Sequence, residues 1–291
     1  MKALVTGAGG QLGRALLATV PREIVVDGLS RAECDISDTD AVGALLAARS
    51  PDVLINAAAY TAVDQAESER DEAFAANATA PGFLARSCAA QGCRFIHVST
   101  DFVFDGTRSS PYPPNAETNP LGVYGESKLA GERAVTAAGG DSLIVRTGWL
   151  YSHRGNNFLK TMLRLHGERD ALSVVADQVG TPTRAESLAE ALWAIASNPV
   201  LSGIYHWSDA GVCSWYDFAQ AIGEEAQNLG LIEQSAAVAP IRSADYPTPA
   251  KRPAYSVLDK TQSWEDLYLT PVHWRDALRD TLAALENEEG H

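Results

Sequence analysis

Tyr124 and Lys128 stand four residues apart in Val123-Tyr124-Gly125-Glu126-Ser127-Lys128. On a helix that spacing places both side chains on one face. A cation beside a phenol favours the phenolate, so Lys128 is expected to lower the pKa of Tyr124. Tyr124 then becomes a working proton donor or acceptor near neutral pH, where a free tyrosine is a poor one. The pair alone would equally describe a solvated surface contact. Thr100 adds to it: it ends the apolar run Phe95-Ile96-His97-Val98-Ser99-Thr100. Its hydroxyl suits a substrate carbonyl or the oxygen formed from one.

Such groups need a scaffold, and the chain supplies one from residue 2. Lys2-Ala3-Leu4-Val5-Thr6 reads as a short buried strand, followed at once by Gly7-Ala8-Gly9-Gly10-Gln11-Leu12-Gly13. Gly7, Gly10 and Gly13 lead into an apolar helical pattern (Leu12, Leu16, Leu17, Val20). Strand, glycine turn and helix open a dinucleotide-binding unit, whose glycines admit a pyrophosphate to the amides of the helix N-terminus. Ile24-Val25-Val26-Asp27 reads as the second strand, ending in a carboxylate about 20 residues past the first glycine, where a ribose-binding acid is expected. Asp27 would repel a 2′-phosphate and favour NADH over NADPH, while Arg31 nearby blunts that preference. Asp35 either meets the adenine amine or caps a helix starting near Ser37-Asp38.

Strands and helices go on alternating through Val53-Leu54-Ile55-Asn56, the helical stretch from Glu72 to Cys88 (interrupted by Pro81), Phe95 to Val98, and Leu143 to Arg146. The predicted fold is α/β: a doubly wound parallel sheet of Rossmann type with a smaller C-terminal substrate lobe. Ligands of such sheets sit beyond the carboxyl ends of the strands. Ala57 to Thr61, Ser99 to Asp101 and Thr147 to Trp149 should therefore share one crevice with the glycine turn. A dinucleotide-binding domain is expected over 1–149, joined by part of 183–230, and a mainly substrate-binding lobe over 150–291. In that lobe helices are expected from Asn157 to Leu165, Glu186 to Ala196 and Ser214 to about Leu229, and strands at Leu172-Val175 and Gly203-Trp207. Arg252, in a proline-flanked loop, carries a fork suited to a diphosphate or balances surface charge. His97 and His206, in apolar strands, read as core histidines, and Trp193, Trp207 and Trp215 as packing.

Composition narrows the function classes. The chain has 291 residues, 46% hydrophobic and 21% charged, with a net charge of −14. No basic patch appears, which argues against a nucleic-acid partner. No run of about 18 apolar residues and no basic-then-apolar leader is present, so neither a membrane span nor a signal peptide is expected. Cys34, Cys88, Cys93 and Cys213 form no metal-ligand spacing, consistent with idle thiols in a reducing cytoplasm. The tail Glu286 to His291 is acidic and expected to fray.

The order of these motifs (Gly-x-x-Gly-x-x-Gly, Asn56-Ala57-Ala58-Ala59, Ser99-Thr100-Asp101 and Tyr124-x-x-x-Lys128) resembles the extended short-chain dehydrogenase/reductase family. Asn56 to Glu67, Ser99 to Gly106, Val123 to Glu132, Gly155 to Phe158, Asp177 to Thr183 and Tyr246 to Pro253 are similar to its dTDP-4-dehydrorhamnose reductase branch. The resemblance implies Gly10, Gln11 and Leu12 on the cofactor phosphates, and Asp27, Asp35 and Ile36 on the adenosine half. It places Ala59, Tyr60, Thr61 and Val98 by the nicotinamide, Thr100 and Asp101 against the sugar, and Trp149 packed on it. Tyr124 would protonate the alkoxide, and Lys128 would hold the nicotinamide ribose. The implied reaction is NADH- or NADPH-dependent reduction at carbon 4 of a dTDP-linked 4-keto-6-deoxy sugar. An epimerase, a reductase of another deoxysugar, and a non-catalytic NAD-binding relative are the alternatives. Relatives that form magnesium-bridged dimers use acidic residues on the first helix and in the second lobe. Glu186 matches one, but Ala15 and Arg14 stand on the first helix, so no metal is expected, and a monomer or metal-free homodimer is.

Overall fold

The computed structural model describes residues 1–289. Its first half alternates β1 (Lys2–Thr6), α1 (Gln11–Ala18), β2 (Val25–Leu29), α2 (Thr39–Arg49), β3 (Val53–Asn56), α3 (Val63–Ala66), α4 (Arg70–Phe74), α5 (Ala80–Gln91), β4 (Arg94–Thr100), α6 (Val123–Ala138) and β5 (Ser142–Thr147). These strands pair in the order β2-β1-β3-β4-β5, and β10 (Gly203–His206) joins beyond β5, every pairing parallel. Chain order reverses between β1 and β3, so a crevice opens at their carboxyl ends.

The sheet is doubly covered because its strands are apolar on both faces. Val5, Ile55, Ile96 and Val145 point to one side and pack with Leu16 of α1 and Leu188, Leu192 and Trp193 of α8 (Ala185–Ala196). Leu4, Leu54, Phe95 and Ile144 point to the other and meet Leu46 of α2, Leu84 of α5 and Val135 of α6. His97 and His206 are fully buried in their strands.

A second core gathers β6 (Leu150–Tyr151), α7 (Phe158–Glu168), β7 (Ala171–Val175), α9 (Trp215–Asn228) and α11 (Trp274–Glu289) around Tyr151, Leu159, Phe218, Ile222, Leu278 and Leu282. Asn157 caps α7 by accepting the Lys160 N–H at 3.0 Å. Ser214 and Asp217 close a capping box on α9, which fixes where that helix begins. Gly290 and His291 of the acidic tail lie outside the described residues.

Two local expectations are corrected. Strand β2 runs two residues past Asp27, because Leu29 still pairs with Thr6 while Asp27 pairs with Leu4. Pro81 does not interrupt its helix either. A π-helical turn over Ala75–Thr79 leads directly into α5, and Pro81 falls in the first turn of that helix. The wider turn leaves room for the ring and the missing N–H.

Candidate active site

A cavity of about 550 Å³ opens at the carboxyl ends of the central strands. Of the expected crevice segments it is lined by Gly10, Gln11, Leu12, Ala57, Ala59, Thr61, Ser99, Thr100, Asp101, Thr147, Gly148 and Trp149. Val98, Tyr124, Lys128 and Arg252 complete the sequence-derived residues that it brings together.

The floor is polar and dry. α6 starts at Val123 and presents Tyr124 and Lys128 one turn apart, across from the end of β4. Lys128 is 2% exposed, and its ammonium donates to the Val98 carbonyl at 2.7 Å. Burial lowers its pKa to about 8, partly opposed by Glu132. The Tyr124 hydroxyl is shut in beside Thr100, and loss of water raises its pKa to about 12. The expected lowering of the phenol pKa is therefore corrected: burial and the nearby Asp101 raise it, the Thr100 hydrogen bond opposes them only in part, and Tyr124 stays protonated. A protonated phenol is an acid held ready, not a base. Thr100 Oγ1 donates to Asp101 Oδ1 at 3.1 Å and accepts the Phe102 N–H at 3.2 Å. Asp101 is 2% exposed, and burial raises its carboxyl pKa to about 6.

The glycine turn fits a dinucleotide. Gly7 has φ +73°, and a Cβ on it would lie 2.6 Å from the Ala58 nitrogen. A Cβ on Gly13 would lie 2.2 Å from the Gly7 carbonyl oxygen, so strand, turn and helix pack with no room for a side chain. Gly10 caps α1 without any side-chain hydrogen bond, which leaves the first amides of the helix for an anion. Those amides, with Gln11 and Leu12 at the cavity edge, could hold a pyrophosphate.

The residues expected at the adenosine end lie off the cavity lining. Asp27 sits mid-strand and its carboxylate pairs with Arg49 of α2, outside the cavity lining. Asp35 accepts the Ser37 N–H at 3.0 Å and hydroxyl at 2.7 Å, while Asp38 is the cap of α2. Ile36 is buried in the core beneath α2. Tyr60 also lies off the cavity lining: its hydroxyl donates to Glu69 at 2.6 Å. Asn77, in the π-helical turn, holds the Tyr60 backbone from both sides, accepting its N–H at 2.9 Å and donating to its carbonyl at 3.0 Å. Asn77 also donates to Ser127 on α6 at 3.0 Å.

The opposite wall is aromatic. Trp149, at φ +51°, stacks on Trp215 with ring centroids 3.5 Å apart and planes 4° from parallel. Phe158 and Phe218 extend the wall, and Asn156 and Asn157 line it beside Gln11. Asn157 Nδ2 donates to Gln11 Oε1 at 2.8 Å, tying the start of α7 to the glycine turn. Trp215 is thus a lining residue as well as packing. Sequence reasoning places Trp149 in this crevice but misses Phe158, Trp215 and Phe218 as its lining; the Gly155-Asn156-Asn157-Phe158 block is the local signal for Phe158. Arg252 reaches the cavity with its fork already engaged, donating to Asp64 Oδ1 at 3.0 Å and Oδ2 at 2.8 Å.

Glu186 faces His153 at 3.3 Å and Arg184 at 3.2 Å. No group of three or more His, Cys, Asp or Glu among the described residues is placed to hold a metal ion. Nor is any described helix long and apolar enough to cross a membrane.

Known proteins are similar to this chain over nearly its whole length. Residues 1–287 match the family model described as RmlD substrate binding domain. A dTDP-4-dehydrorhamnose reductase of Mycobacterium tuberculosis is 46% identical over 98% of this chain and 93% of its own length. The protein of that name from Aggregatibacter actinomycetemcomitans is 43% identical over 97% and 99%. A solved dTDP-4-dehydrorhamnose reductase of Bacillus anthracis, in complex with NADP, superposes with a TM-score of 0.92 at 35% identity, over 97% of this chain and 99% of that one. With residues 1–287 matched by the family model and nearly the whole length in common with these relatives, the chain belongs to the RmlD substrate binding domain family.

Proposed function

We propose that the protein uses NADH or NADPH to reduce the 4-keto group of dTDP-4-dehydro-β-L-rhamnose, giving dTDP-L-rhamnose. The observation that carries the reading is the Tyr124 hydroxyl, protonated and flanked by Thr100 and Lys128, in a cavity that also takes in an uncapped, glycine-lined helix N-terminus.

When bound, the reduced dinucleotide supplies the hydride that reaches carbon 4 of the sugar. Gly7, Gly10, Gln11, Leu12 and Gly13 hold its phosphates, and Ala59, Thr61 and Val98 line the nicotinamide side. The Tyr124 phenol donates to the ketone oxygen, and the Thr100 hydroxyl turns its one proton from Asp101 Oδ1 to the same oxygen, polarising it before charge develops. Tyr124 then gives its proton to the alkoxide as general acid. An ammonium has three N–H donors, and Lys128 commits one to Val98. The other two hold the ribose and offset the negative charge left on the phenolate. Trp149 and Trp215 cover the sugar, and Asp101 orients Thr100.

The same reading assigns 1–149 with part of 183–230 to the dinucleotide and 150–291 mainly to the sugar nucleotide, in a cytoplasmic monomer or metal-free homodimer. Mixing the protein with dTDP-4-dehydro-β-L-rhamnose and reduced cofactor tests it: cofactor absorbance should fall in step with product. An epimerase would instead keep tightly bound NAD and consume no free cofactor. Absence of cofactor oxidation by folded protein would defeat the proposal.

A further inference from the structure

The mechanism above leaves unused a buried charge network at the base of α6. Tyr124, Lys128 and Glu132 follow one another at four-residue steps, so one helix face carries all three. Glu132 is 3% exposed, yet it is gripped from two strands. Ser99, next to Thr100 in β4, donates its hydroxyl to Oε1 at 2.5 Å. Arg146, next to Thr147 in β5, donates Nε to Oε1 at 2.9 Å and Nη2 to Oε2 at 2.7 Å. Arg146 is also 3% exposed, and its Nη1 donates to the Pro114 carbonyl at 3.1 Å. Desolvating two charges offsets most of their mutual attraction, so stability alone is a poor reason for an ion pair here.

Lys128 has few charged neighbours. The Tyr124 phenol and Glu132 lie on its own helix, and Glu132 is the carboxylate that acts on it. His97 faces it from β4 and is neutral, because burial and the ammonium push its pKa well below the ordinary value. Arg146 stands behind Glu132, on β5. A buried ammonium with one carboxylate near it depends on that carboxylate to stay charged.

We infer that Glu132 is a positioning residue for the reduction. Clamped by Ser99 and Arg146, its carboxylate keeps Lys128 a seated ammonium and fixes α6 against the strand ends that bear Thr100 and Thr147. The inference rests on the proposed function only for what Lys128 does in turnover.

The chain has five lysines (Lys2, Lys128, Lys160, Lys251 and Lys260), few enough to follow individually by NMR with carbon-13 at the lysine ε position. Lys128→Arg identifies the resonance by deleting it. Wild type is titrated beside Glu132→Gln, Glu132→Asp and the double variant Glu132→Gln/Arg146→Met, which stays charge-balanced should the single variant not fold. The Lys128 midpoint near 8 should drop by about one unit in the folded double variant and further in Glu132→Gln. Glu132→Asp should hold it near the wild-type value. The alkaline limb of turnover should move with each midpoint. A wild-type midpoint in the folded double variant overturns the inference. Wild-type protein that titrates as expected yet oxidises no cofactor overturns the proposed function instead and supports the placement of Glu132.

Discussion

The floor and the wall of the cavity are built on opposite plans. On the floor, the end of β4 and the first turns of α6 bring Thr100, Tyr124 and Lys128 together, with Thr100 and Lys128 buried and Lys128 tied to backbone. The wall takes Trp149, Phe158 of α7, and Trp215 and Phe218 of α9 from three separate segments, and their rings meet across it. Chemistry is thus placed on rigid, local geometry, whereas recognition is left to apolar surface assembled over long distance. Exchanging a floor residue should change rate, and exchanging a wall residue should change affinity.

Tyr124→Phe should sharpen that contrast most. It removes one hydroxyl and keeps the ring that packs on Phe102 at 5.5 Å. Turnover should fall about 10²–10⁴-fold, as for loss of a general acid, with cofactor affinity nearly unchanged. Steady-state kinetics beside a cofactor-binding titration check it, and equal losses in both would blur floor into wall.

The pH profile is the next test. Activity needs Lys128 as ammonium, and that form is lost as pH rises through about 8 in place of the usual 10.5. Turnover should therefore decline through that window. Tyr124, held near 12, adds no break below it. A profile flat to well above pH 9 would show that the ammonium is not required.

Trp215→Ala should break the wall and spare the floor. Losing its stack on Trp149 should raise KM for the sugar nucleotide about tenfold, matching an aromatic contact of roughly 1–1.5 kcal/mol. The rate at saturation should stay within a small factor of wild type. Asp64→Asn should do least. The Asp64–Arg252 pair is partly exposed, so unfolding stability in denaturant should change by under about 1 kcal/mol.

The same division governs what could be read beforehand. Gly7, Gly10, Gly13, Tyr124 and Lys128 are legible because their geometry is set within one turn or one helix. The parallel sheet follows from the alternation of apolar strands and helices. The end of β2 reads two residues early because a strand ends where its neighbour stops pairing, and β1 carries β2 on to Leu29. The pairing of Arg252 with Asp64 is not legible because the two lie 188 residues apart. Trp215 looks like packing until folding sets it against Trp149. The ionisation of Tyr124 turns on depth: spacing reveals a cation one turn away, but not the loss of water that raises the phenol pKa.

Hydride placement is the most direct test of the account. The protein should be run with dTDP-4-dehydro-β-L-rhamnose and a reduced cofactor deuterated at its transferable position, and the product read by NMR. The account predicts one deuterium, on carbon 4 of the rhamnose, and no such product from Tyr124→Phe at a comparable rate. Deuterium elsewhere, or label left on the cofactor while the sugar is converted, would contradict it.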